Sequence, residues 1–96
     1  MHVLATVLVV VHGLVMRGPT KPVCSMVTPC DEPAARVELV FARAGSVVRI
    51  RTDTTGHYTV KLRRGTYLLR VERVMPATLT VRRAMRADFF IDTGIR

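Results

Sequence analysis

The sequence predicts an all-β chain of one domain, an antiparallel sandwich or barrel. Three observations predict it. Apolar and polar residues alternate with a period of two in five separate runs, as in strands that bury one face. Turn-forming clusters separate the runs at intervals of about ten residues. No stretch carries a convincing helical period. The 96 residues are enough for one core and hardly two. A hydrophobic fraction of 49% with 23% charged residues excludes long disorder.

The strands are expected at 7–16, 36–42, 47–52, 57–62, 66–73, 78–83 and 86–91. In the second, Val37, Leu39 and Phe41 alternate with Arg36, Glu38 and Val40. The third sets Val48, Ile50 and Thr52 against Arg49 and Arg51, and the fourth sets Tyr58, Val60 and Leu62 against His57, Thr59 and Lys61. Tyr67, Leu69 and Val71 alternate with Leu68, Arg70 and Glu72, and Leu79 and Val81 with Thr80 and Arg82. The turns fall at Ala44-Gly45-Ser46, Asp53 to Gly56, Arg63-Arg64-Gly65 and Met75-Pro76-Ala77. Residues 17–35 hold four of the five prolines and read as an ordered, irregular loop.

Two readings stay open for residues 1–11. Val3 to Val11 is nearly all apolar, but His12, Gly13 and Arg17 end the run short of the roughly 20 residues that a membrane-spanning helix needs. It is either a buried first strand or the remnant of an export signal overlapping that strand. Neither a basic start nor a small-residue cleavage site is clear.

The net charge of +8 lies entirely in residues 36–96, which hold thirteen basic and five acidic residues. Thirteen of the fifteen cations are Arg, which favours bidentate contacts to carboxylate, phosphate or sulfate. The bland reading is a solvated Arg-rich surface, since the Arg residues alternate along strands. The functional reading gathers Arg49, Arg51, Lys61, Arg70 and Arg82 as anion contacts, with Glu38 and Glu72 neutralising some of them. Nucleic acid is not the expected partner, because aromatics make up only 5% of the chain and a basic groove normally carries aromatic platforms.

The catalytic inventory is thin. Cys24 and Cys30 stand six apart, which is neither a redox C-x-x-C nor a zinc-ribbon pair. A local disulfide is the leading reading, contributing roughly 2 kcal/mol on the chain-entropy model. Two free thiols or a Cys-Cys-His metal site are the alternatives. His57 faces outward beside the Asp53 turn, with no orienting partner at a hydrolase spacing. Asp88 and Asp92, about 13 Å apart on a strand, are too far separated for paired-carboxylate hydrolysis. No catalytic residue, cofactor or metal is expected.

The stretch Thr52-Asp53-Thr54-Thr55-Gly56-His57-Tyr58-Thr59-Val60-Lys61-Leu62-Arg63-Arg64-Gly65-Thr66-Tyr67-Leu68-Leu69 resembles the T-D-x-x-G-x-[FY]-x-[FV]-x-L-x-P-G-x-Y-x-L signature of carboxypeptidase regulatory-like domains. Asp53 would cap a turn whose Gly56 takes a positive φ, Gly65 would close a short hairpin, and Tyr58 and Tyr67 would point into the core. Arg64 stands where the family usually has Pro, which makes that turn less rigid. The resemblance covers about a fifth of the chain. A weaker likeness of Gly18-Pro19, Pro22-Val23-Cys24, Pro29-Cys30 and the ending Asp92 to Arg96 points to small exported bacterial proteins of this type.

The resemblance implies a single antiparallel seven-stranded Greek-key β-sandwich of the transthyretin-like (prealbumin-like) kind over residues 1–96. It also implies a non-catalytic structural or interaction domain of a bacterial cell-envelope or secreted protein, with an unknown protein or an anionic or glycan surface as partner. The alternative is a carbohydrate- or anion-binding module that uses the outward Arg residues. Among aromatics only Phe90 is placed by phase to serve as a sugar platform.

Overall fold

A computed structural model describes residues 7–19, 30–71 and 77–92. Its strands are β1 (Leu8–Gly18), β2 (Glu32–Pro33), β3 (Glu38–Arg43), β4 (Ser46–Arg51), β5 (His57–Arg63), β6 (Gly65–Val71), β7 (Ala77–Val81), β8 (Met85–Arg86) and β9 (Phe89–Asp92). Among the described residues there is no helix, and so none long and apolar enough to cross a membrane. The protein is all-β, and two sheets pack as a sandwich.

One sheet is antiparallel, in the order β4-β3-β6-β7. The other gathers around β1, which pairs with β5 over Leu8 to Leu14 and with β2 at Met16 and Arg17. The expectation of a purely antiparallel sheet fails here. β1 pairs with β8 and β9 in parallel, matching Val11 with Met85 and Met16 with Phe90. Parallel neighbours need a crossover, and β3, β4, β6 and β7 of the opposite sheet lie within that connection.

Three further expectations change. The seven predicted strands become nine among the described residues, because the run expected at 86–91 divides into β8 and β9 and because β2 appears. The supposed loop at 17–35 begins with the last two residues of β1 and contains β2, where Glu32 lies opposite Arg17 and their side chains meet at 2.9 Å. Pro33 has no N–H to donate, which suits it to this short pairing. The strand expected at 78–83 stops at Val81, and Arg82 and Arg83 turn the chain toward β8.

The alternation predicts the core well. Val37, Leu39, Phe41, Thr52, Tyr58, Val60, Leu62, Tyr67, Leu69, Val71, Leu79 and Val81 are all buried. From β1 and β9 come Val11, Val15 and Ile91. Tyr58 joins the two sheets. Its ring centroid lies 6.2 Å from that of Phe41 and 5.9 Å from that of Phe89. Val48 and Ile50 share the inward phase of β4 but are only half-buried, because β4 borders the sheet.

Residues 8–11 belong to β1, with Val11 fully buried and Leu8 and Val10 exposed. Residues 1–6, including His2, lie outside the described residues, as do Cys24 and Glu72.

Candidate interaction face

The outer face of the four-stranded sheet follows from register. Glu38 lies opposite Arg51. Val40 lies between Arg49 on β4 and Arg70 on β6, and Ala42 lies between Val47 and Leu68. Leu68 then meets Thr78 on β7. The result is a floor of small and apolar side chains bordered at one end by cations. Glu38, Val40, Ala42, Val47, Arg49, Leu68 and Arg70 line a shallow groove of about 440 Å³. Val47 and Leu68 are 56% and 48% exposed.

The charges on this face are only partly neutralised. Arg49 Nη1 lies 3.3 Å from Glu38 Oε1, in an exposed pair of small energetic weight. Arg51 Nη1 donates to the carbonyl of Arg36 at 2.9 Å and keeps its positive charge. Three cations thus face one carboxylate across β3, β4 and β6 among the described residues.

Arg49, Arg51 and Arg70 therefore share a surface, but the other two candidate anion contacts do not join them. Lys61 lies on β5 in the opposite sheet, paired in register with Val10. Arg82 lies beyond the end of β7, where it borders a separate hollow with Thr80, Arg83 and Met85. Phase alone places these five residues outward, but which sheet each strand joins decides whether they meet.

The motif residues are held as scaffold. Asp53 Oδ1 accepts bonds from the Thr55 N–H at 2.8 Å, the Thr55 hydroxyl at 2.7 Å and the His57 N–H at 3.0 Å. The Thr55 side-chain bond, followed by the backbone bonds from Thr55 and His57, holds the Asp53 carboxyl below its usual range. Gly56 has φ +82°, and a Cβ there would come within 2.7 Å of the Val15 carbonyl oxygen. Gly65 does not close a hairpin as expected, because β5 and β6 lie in opposite sheets and do not pair. With φ +152° it turns the chain from one sheet to the other, and the Tyr67 hydroxyl donates to the Arg63 carbonyl at 2.7 Å. Arg43 lies over the Tyr67 ring at 5.6 Å and donates to the Arg64 carbonyl at 2.8 Å, bracing this turn. His57 is exposed, and its Nδ1 lies 2.9 Å from the Thr55 hydroxyl.

Several bonds of structural weight were not foreseen from the sequence. Thr52 is buried. Its hydroxyl accepts from the Val37 N–H at 2.8 Å and donates to the Ala34 carbonyl, tying two loops together. Between β8 and β9 the ladder is completed by a side chain: Asp88 Oδ1 accepts the Leu14 N–H at 2.8 Å, while Ala87 N–H donates to the His12 carbonyl at 2.8 Å. The Tyr58 hydroxyl donates to the Ala87 carbonyl. Burial, reinforced by the charge of Asp88, pushes the Tyr58 phenol well above its usual pKa. The Leu14 backbone bond, followed by the Arg86 side chain, holds Asp88 low. The outward Val40 and Leu68, breaks in an otherwise polar phase, were the available signal for the groove floor.

No protein-family model matches the chain, and no curated protein matches it. Among solved structures it is similar to a DUF3823 family protein from Bacteroides ovatus ATCC 8483, with a TM-score of 0.58 and 16% sequence identity. The match covers 86% of this chain and 43% of that one, so the chain spans less than half the length of the protein it resembles. At this identity the likeness speaks for the β-rich fold alone.

Proposed function

We propose that the protein is a non-catalytic interaction domain of a bacterial cell-envelope or secreted protein, built as a carboxypeptidase regulatory-like, Greek-key variant of the sandwich. The observation that carries this reading is the outer face of β3, β4 and β6, where Val40, Ala42, Val47 and Leu68 form an apolar floor beside Arg49, Arg51 and Arg70. Exposed apolar area bordered by polar groups marks contact surfaces. The Asp53 turn, the Thr52 bonds and the tyrosine hydroxyl bonds support it from the other side, since these groups are engaged in holding the scaffold. A Cys24–Cys30 disulfide belongs to the same reading. Cys30 is buried and partnered at the start of the segment leading to β2, and such a bond suits an oxidising compartment.

A photo-crosslinking residue at Leu68, introduced into the natively expressed protein, tests the proposal. A discrete adduct in the envelope or secreted fraction, absent when the probe stands at Lys61, is the expected result. Equal labelling from both positions, or cytoplasmic retention with a reduced Cys24–Cys30 pair, contradicts it. Intact mass with and without reductant reads the disulfide as a deficit of about 2 Da for one bridge.

The second reading is an anion- or carbohydrate-binding module. The shared surface of Arg49, Arg51 and Arg70 favours its anionic form, with affinity that falls as salt rises. For a neutral glycan the relevant feature is Phe90, 53% exposed and opposite Met16 in the other sheet.

A further inference from the structure

We propose that β4 accepts an added strand, and that the partner is an extended peptide segment alternating acidic with apolar residues. The inference rests on the interaction-domain reading and names its partner. It begins with the hairpin joining β3 and β4. Arg43 pairs with Ser46 across Ala44-Gly45, and the matched positions run on through Phe41 with Val48 and Leu39 with Ile50. Thr52 N–H then donates to the Val37 carbonyl at 2.9 Å, which identifies this alternate set as the hydrogen-bonded pairs. The main-chain groups of Ser46, Val48, Ile50 and Thr52 therefore face β3. Those of Val47, Arg49 and Arg51 face away from it, and among the described residues no strand pairs with them.

Two side-chain patterns select the occupant. An added antiparallel strand bonds to Val47, Arg49 and Arg51 through residues whose side chains fall on the same outer face as these three. There they meet Arg49 and Arg51, so carboxylates are favoured. The intervening side chains fall on the inner side, beside Val48 and Ile50. These two belong to the core face but are only half-buried, so apolar partner residues would cover them. A hollow of about 230 Å³ opens beside Val48 between β4 and β5, lined by Leu62 and Tyr67 and also by Lys61 and Arg63, so its rim too favours an acidic partner. A second copy of this chain is disfavoured as occupant, because antiparallel pairing of two β4 edges sets the Arg residues of each against those of the other. Main-chain bonds supply affinity in this mode and alternate side chains supply selectivity.

The probe is a short end-blocked peptide alternating Glu and Val, titrated into the isotope-labelled full chain. Three results are expected. The largest amide shifts fall on Val47, Arg49 and Arg51. N-methylation of the Glu residues, which removes the N–H groups facing β4, weakens binding at least about tenfold, the scale of one or two lost hydrogen bonds. A Lys-Val peptide does not bind. An Arg49→Glu, Arg51→Glu variant, with its fold checked by circular dichroism, reverses the charge preference, while the N-methylated peptide tests the contact without altering the protein. Equal binding of methylated and unmethylated peptides overturns strand addition, yet leaves an Arg-mediated anion surface standing. Shifts centred elsewhere, or no binding while the Leu68 crosslink still forms, overturn this proposal and leave the interaction-domain reading intact. Loss of both signals removes both.

Discussion

Gly13 is the position at which the fold is most exposed to a single methyl group. It is buried in β1, opposite Tyr58, and its φ lies outside the left-handed range, so the demand for glycine comes from space. A Cβ there would lie 2.0 Å from the Ala87 carbonyl oxygen, 2.7 Å from the Ala87 carbonyl carbon and 2.9 Å from Asp88 Oδ1. Two of these atoms are backbone, so the junction between β8 and β9 must move away from β1. That movement puts at risk the Ala87 bond to His12, the Leu14 bond to Asp88 and the Tyr58 bond to Ala87. At about 1 kcal/mol each, Gly13→Ala should cost about 3 kcal/mol. For a chain of this size that corresponds to a fall in Tm of roughly 12–24 °C. Urea unfolding with matched thermal scans measures it. Gly45→Ala is the control: its added Cβ meets nothing within 4 Å, and φ +74° makes it cost about 1 kcal/mol. A Gly13→Ala loss no larger than that of Gly45→Ala would refute the parallel packing of β8 and β9 on β1.

Thr52→Val keeps the shape but strands the Val37 N–H and the Ala34 carbonyl, so it should cost about 2 kcal/mol in urea unfolding, whereas Thr52→Ser should retain most of the stability. Tyr58→Phe should cost about 1 kcal/mol through the bond to Ala87. It should also change the alkaline behaviour: the folded phenol is raised above the unfolded value of 10.0, so its contribution is complete below pH 10.0 and is lost above it. The wild-type decline above pH 10.0, followed by denaturant midpoint against pH, should therefore be shallower in Tyr58→Phe. Asp88 has the opposite sign. Its folded pKa is depressed, so its contribution is present above the unfolded value of 3.8 and disappears as pH falls through the lower folded value. Asp88→Asn should flatten the acid loss in that window, and an unchanged acid profile would contradict the Leu14 and Arg86 contacts.

The strand positions and the core were legible because both depend on local phase. A residue such as Leu69 or Tyr58 is committed to one face by its neighbours two places away, and that signal is written along the chain. The Asp53 to Gly56 turn was legible for a similar reason, since its bonds span only a few residues. Partner choice was not legible. Nothing near Met16 announces that it will lie beside Phe90, because parallel pairing joins segments separated by an entire sheet. The division of 86–91 was hidden because it depends on the Asp88 side chain standing in for backbone toward Leu14. The candidate face was half visible. Arg49, Arg51 and Arg70 were identified as outward, but only the placement of β3 between β4 and β6 brings them together and leaves Lys61 on the other sheet.

Amide hydrogen exchange along residues 46–52 tests the central claim most directly, because it reads the alternation of the fold and the openness of the face in one experiment. The account predicts slow exchange at Val48, Ile50 and Thr52, which donate toward β3, and fast exchange at Val47, Arg49 and Arg51 in the isolated protein. Uniform protection through this segment would mean that β4 is already covered, and uniform fast exchange would mean that it is not a strand of the sandwich.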